Sequence, residues 1–191
     1  HTEWHGLTPT DLIFPFFLFI VGISIYFAYK NKPNNNSTYK KVAIRSLKLI
    51  GLGLFLNAFL PYFPFIQDFE TMRFPGVLQR IGIVFFISSV LYLNCNWKGL
   101  LGLSIFILLG YWLFLGFMPF PNPNGITSTF ERAPNNWANY LDLSMLGKHM
   151  WQPDYDPEGV VSTIPAIVTC VSGILIGKLL DGLTEIKWLF L

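Results

Sequence analysis

The sequence predicts an all-α membrane protein, a polytopic bundle of transmembrane helices with about five spans. Three observations point there. Hydrophobic residues fill 52% of the 191 positions and charged residues only 13%, against roughly 25% charged in soluble domains. Mean hydropathy is +0.47. Apolar stretches long enough to cross a hydrocarbon core as helices, about 17–25 residues, recur along the chain. So few charges cannot cover a globular surface, and a bilayer is the better solvent for this composition. The net charge of +2 is small and its basic residues are scattered, which gives no nucleic-acid footprint. Cys95 and Cys170 have no paired spacing and read as free thiols rather than as part of a disulfide or metal framework.

Taken in order, the spans run Leu12 to Tyr29, Val42 to Leu60, Gly76 to Leu93, Gly99 to Met118 and Val160 to Leu180. Their length and nearly unbroken apolarity favour helices, because a barrel strand is about half as long and alternates. Thr8-Pro9-Thr10-Asp11 opens the first with Thr at the N-cap, Pro at the first helical position and an acid at the third, a variant of the capping box. Asp156-Pro157-Glu158 repeats that cap-then-Pro pattern before the fifth. Pro15 and Pro165 then fall inside helices. Each removes a backbone hydrogen bond and predicts a kink that opens space between helices. Membrane helices also tolerate proline with no such role. Gly173-Ile-Leu-Ile-Gly177 reads as a helix-packing face.

Lys and Arg are retained on the cytoplasmic side. With the N-terminus outside, nine basic residues fall on inner segments and four (Arg73, Arg80, Arg132 and Lys148) on outer ones. Nine of the eleven acidic residues fall outside. The outer segments are His1 to Asp11, Pro61 to Pro75 and the loop Pro119 to Gly159. That loop is over twice the length at which loops become functional or disordered, about 12–15 residues. Its Trp137, Tyr140, Trp151 and Tyr155 predict a folded cap over the membrane.

Several polar residues on that face have two readings. His1 and His5 flank Trp4; either imidazole is an interfacial anchor at headgroup level or a general base or acyl relay, and spacing does not choose between them. Asp11 is a helix-start carboxylate stabilised by the helix dipole, or it orients a histidine. Asp156 and Glu158 are caps or site groups. Arg80 lies four residues past Gly76, about 6 Å into its helix, with Gln79 beside it. Ionisable groups at such depth face a cavity or a partner, here Asp11, Asp68 or Asp156, and an arginine fork suits a carboxylate or phosphate. No Gly-rich phosphate loop, zinc spacing, Gly-x-Ser-x-Gly elbow or H-E-x-x-H occurs, so soluble hydrolase and metalloprotease chemistry has no support.

Three blocks in order, His1-Thr-Glu-Trp-His5-Gly-Leu-Thr-Pro-Thr-Asp11-Leu-Ile-Phe-Pro15, Arg73-Phe-Pro-Gly76-Val-Leu-Gln79-Arg80-Ile-Gly82 and Asp156-Pro157-Glu158-Gly159-Val-Val-Ser162-Thr163-Ile-Pro165-Ala166, resemble the heparan-α-glucosaminide N-acetyltransferase family and its bacterial relatives. The resemblance implies a transmembrane acyltransferase that carries acetyl from cytoplasmic acetyl-CoA to the amine of a glucosamine-type sugar or glycan on the far side, with no metal. It implies a catalytic role for His1, with Asp11 beside it, and substrate contacts from His5, Gln79, Arg80, Asp156 and Glu158. Asp142-Leu143-Ser144 lacks a basic residue expected just after the Asp.

The resemblance also places the chain among membrane lipids, as a multi-pass protein of a bacterial plasma (inner) membrane. Residues 1–191 are then expected to form the N-terminal half of the transmembrane domain, cut at both ends and inactive without the remaining half. Self-association into a homo-oligomer stays open. The competing readings are a transporter or flippase for a sugar or anionic solute and a non-catalytic membrane scaffold.

Overall fold

A computed structural model describes residues 8–59, 62, 65–121 and 127–188, with side chains through 183. His1 and His5 lie outside the described residues. A 3-10 turn, Pro9–Leu12, leads into α1 (Ile13–Tyr29). It is followed by α2 (Asn36–Ala58), α3 (Val77–Asn94), α4 (Trp97–Phe117), α5 (Trp137–Leu146) and α6 (Val160–Trp188). The described structure is helical, as the composition predicts, with its longer connections before α3 and on either side of α5.

Among the described residues, four helical stretches are long and apolar enough to cross a membrane: Pro9–Tyr29, Val77–Asn94, Trp97–Phe117 and Val160–Leu183. Of the second predicted span, 42–60, residues 42–58 form the C-terminal part of α2. That helix begins six residues earlier, where Asn35 accepts a bond from Thr38 N at 3.0 Å. The early start brings Lys40 and Lys41 into the helix beside Arg45 and Lys48, so α2 is less uniformly apolar than its neighbours. Large side chains such as Phe16, Phe17, Phe106, Leu109 and Trp112 stand exposed on α1 and α4. Such faces suit hydrocarbon rather than water.

Small residues let the helices approach. A Cβ on Gly22 of α1 would collide with the Cys170 carbonyl of α6, and one on Gly173 would collide with the Phe19 carbonyl of α1. Gly177 abuts Tyr26. The Gly173–Gly177 face is therefore the α1–α6 contact. α2 and α3 meet in the same manner, with Ser46 Oγ donating to the Gly82 carbonyl at 2.8 Å. Leu18, Ile25, Val84, Cys170 and Ile174 fill the core between α1, α3 and α6. At one end of this core Asp181 accepts from Lys30 Nζ at 2.6 Å and Tyr26 Oη at 3.0 Å. The opposite end carries the loops and α5.

The loop before α3 and the segment after α5 are joined. Asn57 Nδ2 donates to the carbonyls of Arg73 and Pro75 at 2.9 and 3.0 Å. Phe74 N donates to the His149 carbonyl at 3.0 Å, and the two rings stack 3.9 Å apart. Asn136 caps α5, and Trp137 Nε1 donates to the Met118 carbonyl at 3.0 Å. The described part of the long segment 119–159 is built around α5.

Candidate functional site

The start of α3 meets the start of α6 through Arg80, which is 8% exposed. Its Nη2 donates to the carbonyls of Pro157 at 2.9 Å and Gly159 at 3.3 Å, and to Ser162 Oγ. Its guanidinium carbon lies 5.7 Å from the centre of the Phe14 ring, which brings the start of α1 to the same place. Asp11, three residues before Phe14, closes the turn there: Thr8 N and Thr8 Oγ1 donate to its Oδ2 at 2.9 and 2.6 Å. The capping role predicted for Asp11 is what these bonds show.

Gln79 is 6% exposed, and its side chain occupies the space that a Cβ on Gly53 or Gly76 would need. Two buried nitrogens in this pair, Gln79 Nε2 and Arg80 Nε, have no hydrogen-bond partner among the described residues. An unsatisfied buried donor costs about 1–3 kcal/mol. Both residues line a cavity of about 360 Å³ between α3 and α6, together with Glu158 and a largely apolar wall that includes Ile83, Ile164 and Ile167. The cavity lies along the stretch of α6 that contains Pro165.

The carboxylates are arranged differently from the sequence expectation. Asp156 and Glu158 pair with Arg73, while the hydrogen bonds of Arg80 go to carbonyls and a hydroxyl. Arg73 donates through Nε to Asp156 Oδ2 at 2.8 Å, through Nη2 to Asp156 Oδ1 at 2.6 Å, and through Nη2 to Glu158. Asp156 also accepts from Trp151 N at 2.7 Å and Glu158 N at 2.9 Å. Burial works against the Arg73 charge, but bonding and attraction to Asp156, then Glu158, more than offset it and lift its pKa above the usual value. Arg73 thereby fixes Glu158 at the cavity wall.

Asp156 is likewise not the cap of α6, which starts at Val160 rather than at Pro157. The cap is Asp142 of α5, whose Oδ1 accepts from Val160 N at 2.8 Å and Val161 N at 3.2 Å. Its other oxygen sits where a Gly159 side chain would be. Burial pushes the Asp142 carboxyl above the usual range. The Val161 and Val160 bonds oppose that shift, the Asp156 charge adds to it, and Arg80 draws it back.

The structure thus brings Gln79, Arg80 and Glu158 to one cavity, with Asp156 behind Glu158 and Asp11 near the same end. Local reading missed Arg73 and Asp142 because their partners lie 83 and 18 residues away. The available signal was the acidic surplus of the outer segments, which calls for basic partners on that side.

Fold and site together define a polytopic α-helical membrane protein with a charged cluster and a largely apolar cavity at one end of its bundle. The family model described as heparan-α-glucosaminide N-acetyltransferase, catalytic, matches residues 2–184, and the chain belongs to that family. The heparan-α-glucosaminide N-acetyltransferase of Homo sapiens is 33% identical over 230 aligned residues, covering 94% of this chain and 34% of that protein. Its Mus musculus counterpart is 30% identical over 229, with the same coverage. The chain spans about a third of the length of these curated relatives.

Proposed function

We propose that the protein transfers acetyl from acetyl-CoA to the amine of a glucosamine-type sugar on the extracytoplasmic side. It would cross the membrane five times, with α2 as the second crossing and the N-terminus outside. The observation that carries this reading is the pair of unsatisfied buried donors, Gln79 Nε2 and Arg80 Nε, on a cavity of a chain from an N-acetyltransferase family. A carbonyl that becomes an oxyanion is the acceptor such donors suit.

In the proposed reaction the sugar amine attacks the thioester carbonyl and His1 takes the amine proton. The oxyanion forms against Gln79 and Arg80. The C–S bond then breaks, the carbonyl re-forms as an amide, and the CoA thiolate leaves to take up a proton. Asp11 orients His1, and His5 and Glu158 hold the ammonium form or the hydroxyls of the sugar. Asp156 contributes through Arg73, which keeps Glu158 in place.

The test uses the full-length protein with acetyl-labelled CoA and glucosamine. Label should pass to the sugar nitrogen, and His1→Ala should slow transfer by about 10²–10⁴-fold, the usual contribution of a positioned base, with His5→Ala costing much less. Uptake of unmodified sugar into vesicles without acetyl-CoA would instead establish the transporter reading. Near-normal transfer by folded His1→Ala would remove His1 from the mechanism.

A further inference from the structure

We infer that the cavity below Gln79 and Arg80 is an acyl-chain pocket, and that the protein accepts acyl thioesters longer than acetyl. This rests on the acyl-transfer reading above and extends it to the donor class. Gln79, Arg80 and Glu158 form the polar end of the cavity, with the Thr163 hydroxyl bonded back to the Gly159 carbonyl; the remaining wall is hydrocarbon, descending α3 through Ile83 and Ile87 and α6 through Ile164 and Ile167. From Arg80 to Ile87 the groove runs about 10 Å along the helix axis.

A site built for acetyl alone needs room for one methyl beyond the carbonyl. At ~30 Å³ per water-sized group, 360 Å³ holds about twelve such groups. A polar or charged arm would leave its own groups unpaired against the isoleucines, whereas a hydrocarbon chain hanging from a carbonyl satisfies both ends. The carbonyl lies at the Gln79–Arg80 end, and the chain lies between α3 and α6. The chemistry is unchanged by chain length: the amine attacks the same carbonyl, the same C–S bond breaks, and CoA thiol leaves.

The experiment compares acetyl-, butanoyl- and hexanoyl-CoA as donors to glucosamine in the full-length protein and in Ile83→Trp and Ile164→Trp. These two isoleucines are 40% and 44% exposed, so a larger side chain has space to settle without disturbing the core. Wild type should use hexanoyl-CoA with kcat/KM within about tenfold of acetyl-CoA. Each tryptophan should lower the hexanoyl-to-acetyl ratio by roughly tenfold or more, the scale on which an apolar pocket senses methylenes. Acetyl transfer with no use of the longer donors overturns the inference and leaves the acetyltransferase reading standing. So does an unchanged ratio in both variants. An equal loss with every donor in folded variants assigns the groove to the CoA arm instead. No transfer from any donor by wild type defeats the acyl-transfer reading itself.

Discussion

Arg73 organises the charged end of the bundle. It gives two bonds to an almost fully buried Asp156 and one to Glu158. Removing it leaves two neighbouring carboxylates without the guanidinium that bonds both. Arg73→Gln should therefore lower stability by about 2–3 kcal/mol, the cost of stranding charged hydrogen-bonding groups that remain partly solvated, read as thermal unfolding in detergent. A change within about 0.5 kcal/mol would mean that the pair is an exposed one of little worth.

Asp142 makes the opposite kind of statement. Its folded pKa lies above the ordinary 3.8, so the fold favours the protonated form. The stability it adds is complete below about 3.8 and is lost as pH rises through the folded value. Asp142→Asn keeps an oxygen for Val160 N and Val161 N and deletes the charge. Wild type minus variant stability should fall as pH rises from about 4 and then level off; a rise over that window would contradict the sign. Neither residue was legible as a site group from local spacing. Cap reasoning chose Asp156 because it precedes Pro157, and only the folded chain brings Asp142 of α5 to the start of α6.

Among the elements, apolar runs of hydrocarbon length were readable directly, because a helix surrounded by lipid declares itself in composition. α1, α3 and α4 and the start of α6 fall within a few positions of expectation, while α6 runs on to Trp188 rather than ending at Leu180. The start of α2 was not, since Lys40 and Lys41 look like loop residues until Asn35 caps the turn before them. The Gly173–Gly177 face was legible as a packing surface, but its partner Gly22 was not, because small residues on one helix do not say which helix approaches. The close crossing predicts a contrast. Gly173→Val forces α1 away and should cost about 1–3 kcal/mol as an overpacked contact. Gly102→Ala on α4 meets open space and should be neutral or gain up to about 1 kcal/mol. Equal effects at both positions would argue against the α1–α6 contact.

At the scale of the whole molecule, the distribution of charge and the position of the cavity are linked. Basic residues collect toward one end and acidic ones toward the end that holds α5, Arg73 and the cavity. That asymmetry was visible in the sequence, whereas the cavity is a product of how α3 and α6 meet through Arg80. If the basic end faces the cytoplasm, donor and acceptor approach from opposite sides and the acyl group crosses within the bundle. Full-length protein reconstituted into liposomes tests this directly. Labelled acetyl-CoA is supplied on the side where Lys32 is accessible, and glucosamine on the side where Lys148 is. N-acetylglucosamine should form with the two substrates separated by the membrane, depend on acetyl-CoA and stay in the glucosamine compartment. Product formed only when both substrates share one compartment, or unmodified glucosamine crossing without acetyl-CoA, would contradict a transmembrane acetyl transfer.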